Sequence, residues 1–63
     1  MKAGEKLRQL RGEKTQEEIA RNLGITKSSY AMYERGERVP RDEVKIRIAA
    51  FFGVSVQDLF FSL

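Results

Sequence analysis

The side chains of this 63-residue chain that could do chemistry are amides, hydroxyls and cations, because the sequence contains no cysteine and no histidine. Without those two residue types, neither a Cys-His or Ser-His-Asp nucleophile nor a Cys/His zinc site can be assembled. The neighbouring carboxylates Glu17 and Glu18 lie in a polar stretch that offers no apolar pocket around them. The sequence therefore predicts a binding protein with no enzymatic activity, no metal, no cofactor and no small-molecule substrate.

Basic side chains cluster in two segments of the chain. Residues 1–14 carry five basic and two acidic residues, and residues 21–41 carry the same numbers, so each segment has a net charge of +3. The intervening and following segments are weakly acidic, which brings the whole chain to +3. Clustered positive charge favours a polyanion as partner, although a solvated basic surface would give the same composition.

The length of the chain predicts a single domain that spans residues 1–63. A chain of this size buries only about 60% of the surface that its unfolded form exposes, so its apolar residues must form one small core. No run of apolar residues approaches the length of a membrane span, and no apolar stretch follows the first basic residues. We therefore expect no membrane association and a cytoplasmic location.

Glycines divide the chain into segments of helical length. The spacing of Ala3, Leu7 and Leu10 predicts one apolar face on a first helix that Gly12 ends. A capping box of Thr15 and Glu18 predicts the start of a second helix.

Gly24 ends that second helix, and Thr26 can begin a third helix only two residues later. The third helix ends at Gly36, and Tyr30 and Tyr33 mark the side that faces the core. Two short helices joined by a glycine turn predict a helix-turn-helix unit.

The segment 42–48 is ambiguous, because its apolar residues alternate as in a strand. A helix is favoured because Val44, Ile48, Phe51 and Phe52 fit one helical face, which Gly53 would end. A serine cap at Ser55 predicts a short fifth helix. Five of the six aromatic residues are expected in the core; these are Tyr30, Tyr33, Phe51, Phe52 and Phe60.

Residues 16–35 resemble the helix-turn-helix of the phage-repressor and Cro family, also called the xenobiotic-response-element family of bacterial regulators. Ala20 stands where that family keeps a small residue, and Gly24 stands at its turn glycine. The family's buried positions hold Ile19, Leu23, Ile25, Tyr30 and Tyr33. The segments 33–36 and 52–56 resemble further family features, so the likeness runs from about residue 7 to residue 60. It implies an all-α, five-helix lambda-repressor-like domain with the helix-turn-helix at helices 2 and 3.

The resemblance also implies sequence-specific binding to double-stranded DNA, with helix 3 in the major groove. Lys27, Ser28 and Met32 would then reach base edges. Lysine can donate to guanine, serine discriminates weakly, and methionine can contact only a thymine methyl group. The residues expected to contact phosphate are Gln16, Ser29, Arg35 and Arg38.

In this family, a glutamate at the position of Glu34 pairs with an arginine of helix 1, and Arg11 is the matching residue here. The resemblance therefore implies an internal ion pair between Arg11 and Glu34. Such a pair would neutralise a carboxylate that otherwise repels DNA phosphate beside the DNA-facing helix.

The C-terminal segment 59–63 holds four apolar residues in five positions. Phe61 and Leu63 could fold back on helix 1, or they could join two chains. We favour a homodimer whose interface is formed by Leu59, Phe61 and Leu63.

Together these features predict a transcriptional regulator, a repressor, that reads a pseudo-palindromic operator as a dimer. The alternative is a protein-interaction module, such as an antitoxin-like or adaptor protein, that uses the same helices.

Overall fold

Five α-helices form from the segments that the glycines separate. The computed structural model describes residues 2–61, and of Lys2 it describes the backbone alone. The helices are α1 (Lys2–Arg11), α2 (Gln16–Leu23), α3 (Lys27–Arg35), α4 (Asp42–Phe52) and α5 (Val56–Phe60). Residues 2–61 contain no strand. The prediction of an all-α chain with five helices is confirmed.

The ends of α2 and α3 follow from the threonines and glycines of the sequence. The Thr15 hydroxyl accepts a hydrogen bond from the Glu18 amide at 3.0 Å, and the Glu18 carboxylate accepts one from the Thr15 amide at 2.9 Å. At the start of α3 the Thr26 hydroxyl likewise accepts a hydrogen bond from the Ser29 amide at 3.0 Å. Gly24 has φ +72°, a left-handed conformation that favours glycine, and it turns the chain sharply from α2 into α3.

Segment 42–52 is a helix, which resolves the ambiguity of its alternating pattern. Val44 and Ile48 face the core, whereas Ile46 between them is 61% exposed. A half-buried strand would place all three on one side of the chain. Burial of Val44 and Ile48 against the other helices stabilises the helical arrangement.

One core holds the five helices together. Its largest fully buried side chains come from four helices, and they are Leu7, Ile19, Leu23, Tyr30 and Ile48. Leu59 of α5 adds to the same core. This arrangement leaves the outer side of α3 free of core packing. No helix within residues 2–61 is long and apolar enough to cross a membrane.

Helix α1 approaches the end of α3 closely because it carries a glycine at the contact. A Cβ atom at Gly4 would overlap the main-chain oxygen of Glu34 and would lie 2.9 Å from its carbonyl carbon. The sequence pattern does not indicate this contact, because the pattern consists of the apolar residues of α1 alone. Gly4 therefore sets how near α1 lies to the C-terminal end of α3.

Expectations for four apolar residues need correction or fall outside the structure. Phe51 was expected in the core but is 40% exposed, because Phe52 takes the inner position and Phe51 packs edge-on against it. Leu59 was expected at a dimer interface but is only 3% exposed, because its own domain buries it. Phe61 does not fold back on α1; the Lys45 ammonium of α4 lies 4.7 Å from its ring centre. Leu63 lies outside the described residues.

Candidate nucleic-acid interface

The outer side of α3 and the start of α2 form a shallow concavity of about 420 Å³. Positions 27, 28, 31, 32 and 35 share one side of α3 because each is separated from another by three or four residues. The concavity is lined by Gln16, Lys27, Ser28, Ala31, Met32 and Arg35. It therefore gathers five of the seven residues that the sequence predicts as DNA contacts.

The other two predicted residues, Ser29 and Arg38, line a second depression of about 390 Å³. This depression also includes Thr26 and Arg41. The Ser29 hydroxyl accepts a hydrogen bond from the Thr26 hydroxyl at 3.0 Å and keeps its own proton for another acceptor. Arg41 was not among the predicted contacts, although it is an exposed basic residue directly before α4. A second group of donors thus lies beside the start of α3.

Arg35 is engaged with an acidic neighbour. Its Nε lies 3.0 Å from Glu37 Oε2, and Nη2 donates to Oε1 at 3.1 Å. The hydrogen bond from Arg35 and its positive charge lower the pKa of Glu37, so the pair is charged at neutral pH. Both side chains are more than half exposed, and an exposed pair of this kind contributes little to stability. Arg35 can therefore leave Glu37 and pair with another anion, such as a phosphate, at little cost in free energy.

The carboxylate of Glu34 is buried behind this surface and is fully paired. Its side chain is 1% exposed. Arg11 donates from Nε to Oε2 at 2.7 Å and from Nη2 to Oε1 at 3.1 Å, and Gln16 donates from Nε2 to Oε1 at 3.0 Å. Burial by itself would raise the pKa of Glu34, but the hydrogen bonds from Arg11 and Gln16 outweigh it and hold that pKa below its ordinary value. Glu34 is therefore ionised and neutralised from within.

Arg11 extends this network to the turn between α1 and α2. Its Nη1 donates to the main-chain oxygen of Lys14 at 2.8 Å. One guanidinium thus ties the turn before α2 to the buried carboxylate of α3. Arg8 lies further away, with its Nε 3.9 Å from Glu34 Oε1.

The hydroxyl of Tyr30 is buried near the same carboxylate. It makes no hydrogen bond of acceptable geometry with any of the described residues. Burial and, to a lesser extent, the neighbouring Glu34 raise the pKa of Tyr30, so the hydroxyl stays neutral. Tyr30 therefore serves the core and adds no charge to the surface.

Sequence reasoning missed the bond between Gln16 and Glu34. It assigned Gln16 to phosphate contact and Glu34 to an ion pair with Arg11, as two separate features. Residues 18 positions apart on different helices give no local pattern that would join them. Only the packing of α2 against α3 brings the two side chains together.

The chemistry available at this surface is donation of hydrogen bonds from cations, hydroxyls and an amide. Among residues 2–61, no group of three or more acidic side chains could hold a metal ion. The outward side chains of α3 present donors, and the one acidic residue in the middle of the network is buried. Such a surface suits an anionic partner that accepts hydrogen bonds.

Comparison with known proteins places residues 5–59 in a family described as helix-turn-helix. The chain is 39% identical over 56 residues to the cryptic phage CTXphi transcriptional repressor RstR of Vibrio cholerae; the match covers 86% of this chain and 50% of the repressor. It is 37% identical over 46 residues to an uncharacterized HTH-type transcriptional regulator of Methanocaldococcus jannaschii, covering 73% of this chain and 70% of that protein.

The chain thus spans about half the length of the Vibrio repressor that it matches. No solved structure matches it significantly. The family match nevertheless covers all five helices in whole or in part, including the α2–α3 unit. The chain belongs to the phage-repressor and Cro-like helix-turn-helix family.

Proposed function

We propose that this chain is a sequence-specific DNA-binding regulator of transcription that acts as a repressor, and that it has no enzymatic activity. The observation that carries the proposal is the surface formed by α2 and α3, where Gln16, Lys27, Ser28, Met32 and Arg35 line one concavity. The printed name of the Vibrio relative, a transcriptional repressor, supports the same function. Helix α3 enters the major groove of double-stranded DNA in this proposal.

Base edges are read by the exposed side chains at the start and middle of α3. Lys27 donates to the O6 and N7 atoms of a guanine, and Ser28 either donates or accepts. Met32, which is half-buried beside them, contacts the methyl group of a thymine. These three residues determine the operator sequence.

Phosphate contacts come from both sides of α3. Gln16 and Arg35 lie at the first concavity, and Ser29 and Arg38 lie at the second. The free backbone amides at the start of α2 add donors beside Gln16. These contacts fix the position of α3 on the duplex without selecting its sequence.

Two copies of the chain bind one operator as a homodimer. Of the three residues expected at the interface, Phe61 keeps an exposed ring, whereas Leu59 is excluded by burial in its own domain. Ile46 is 61% exposed and lines an apolar concavity together with Phe61. Both side chains would be covered in a dimer, and a two-fold axis would place the two α3 helices about 34 Å apart on a pseudo-palindromic site.

The rest of the proposal follows from this role. Residues 1–63 act as one DNA-binding domain, with the helix-turn-helix at 16–35. A repressor of this kind works where the chromosome lies, and the proposed location is therefore the cytoplasm. It needs no cofactor, membrane or small-molecule ligand to hold its surface in place.

Selection of bound duplexes from a random-sequence pool tests the proposal. The expected result is enrichment of one motif with two inverted half-sites, because each subunit reads one half-site. A matched selection with the Lys27→Ala variant should lose preference for guanine at one position in each half-site. Recovery of no motif by the unmodified chain would overturn the proposal and favour the protein-interaction alternative.

A further inference from the structure

We infer that Glu34 is a positioning residue for DNA binding that holds the side-chain amide of Gln16 in place at the interface. This inference rests on the proposed function of the α2–α3 surface. Glu34 is buried and cannot itself touch a duplex. Gln16 lines the concavity beside Lys27 and Met32 and donates to Glu34 at 3.0 Å. Glu34 therefore acts through Gln16.

The carboxylate fixes which way round the amide of Gln16 lies. An ionised carboxylate can only accept hydrogen bonds, so the NH₂ group of Gln16 and not its oxygen must face Glu34. One hydrogen of that NH₂ group is used by the carboxylate, and the second remains for another acceptor. A phosphate oxygen is an acceptor of the required kind. Glu34 thus fixes the orientation of the Gln16 amide and leaves one of its hydrogens available for a phosphate.

The ion pair with Arg11 makes this arrangement rigid. Two bonds from Arg11 anchor Glu34, and a third bond from the same guanidinium holds Lys14 in the turn before α2. A surface glutamine normally loses rotamer freedom when it binds a partner. Here that freedom is already restricted in the free protein, so less is lost on binding DNA.

Side-chain dynamics of the free protein provide the first test. We expect the Gln16 NH₂ group to have an NMR order parameter near that of rigid backbone, about 0.85, and below about 0.6 in the Glu34→Met variant. Methionine keeps an unbranched side chain but removes both acceptor oxygens. If Glu34→Met does not fold, Glu34→Gln replaces it. The order parameter of the Gln16 NH₂ group should then also fall, by a smaller amount. The Glu37→Gln variant is the control and should leave the Gln16 signal unchanged.

A double-mutant cycle on DNA provides the second test, with a fluorescent duplex of the sequence selected by the unmodified chain. Gln16→Met should weaken binding about tenfold, the loss expected for a hydrogen bond to a charged group. Glu34→Met should weaken it by a similar factor, with Kd values corrected for any unfolded fraction. The double variant should lose about tenfold as well, because both changes remove the same contact.

Two results would overturn the inference. Losses that multiply to about a hundredfold in the double variant would mean that Glu34 and Gln16 act independently. A Gln16 amide that is equally mobile with and without Glu34 would mean that Glu34 does not hold it. In both cases the unmodified chain still binds its selected duplex, whereas failure of the proposed function is seen as loss of that binding itself.

Discussion

Replacing Glu34 with glutamine should destabilise the fold, because it removes the charge of a buried side chain that is paired at both oxygens. Glu34 accepts three hydrogen bonds and its side chain is 1% exposed. Breaking a fully buried ion pair costs about 3 to 5 kcal/mol. Arg11 is 20% exposed, so water can solvate part of its charge in the variant, and the new amide keeps one acceptor oxygen. We therefore expect a loss of about 2 kcal/mol, which lowers the Tm of so small a domain by about 10 °C.

This loss should depend on pH in a defined direction. Burial opposes ionisation of Glu34, but the bonds from Arg11 and Gln16 hold its pKa in the folded protein below the ordinary value. A carboxylate with a lowered pKa adds stability that is complete above its unfolded pKa and is lost as the pH falls through its folded pKa. The difference in unfolding free energy between the two proteins should thus be full at pH 7 and should narrow in strongly acidic solution.

Urea unfolding followed by circular dichroism at pH 7 and at pH 2.5 to 3 measures both quantities. The matched control is Glu37→Gln, which makes the same chemical change in an exposed pair two residues after the end of α3. That control should leave stability unchanged at both pH values. Equal stability of Glu34→Gln and the unmodified chain at pH 7 would refute the structural role of the Arg11–Glu34 pair.

Three further predictions concern packing and DNA contact. Gly4→Ala should lower the unfolding free energy by about 1 to 2 kcal/mol, since overlap with the α3 main chain outweighs the better helix propensity of alanine. The control Gln9→Ala, on the exposed side of α1, should not lower it. A Gly4→Ala variant that is more stable than the unmodified chain would contradict the close approach of α1 to α3. Arg35→Ala should reduce the slope of log Kd against log salt by about one, with equal losses on selected and scrambled duplexes, and an unchanged slope would exclude a phosphate contact. Deoxyuridine in place of thymine at one operator position should weaken the unmodified chain but not Met32→Ala, and equal weakening of both would refute the methyl contact.

The helix ends and the turn could be predicted from sequence because local chemistry determines them. Thr15 and Thr26 accept backbone hydrogen bonds three residues away, and Gly24 takes the left-handed conformation that a β-carbon disfavours. These interactions span only a few residues, so their signals are visible in a short window of sequence. The pairing of Arg11 with Glu34, in contrast, could be expected only from the resemblance to a family.

The features that sequence did not predict depend on how whole helices pack. The overlap at Gly4 and the bond from Gln16 to Glu34 each join residues from different helices. The apolar residues at the C-terminus all give the same signal in sequence, yet Leu59 enters the core and Phe61 lies outside against α4. Which of them is buried depends on the angle at which α5 meets α1 and α4.

The most direct test of the central claim is the affinity of the unmodified chain for its selected duplex and for a scrambled duplex of equal length and composition. Fluorescence anisotropy at 0.15 M salt, repeated over a range of salt concentrations, measures both. If α3 reads base edges while its neighbours hold phosphate, the selected duplex should bind at least about a thousandfold more tightly, and affinity for both duplexes should fall steeply with salt. Equal affinity for the two duplexes would contradict the reading of base edges by α3. An affinity that does not depend on salt would contradict the phosphate contacts.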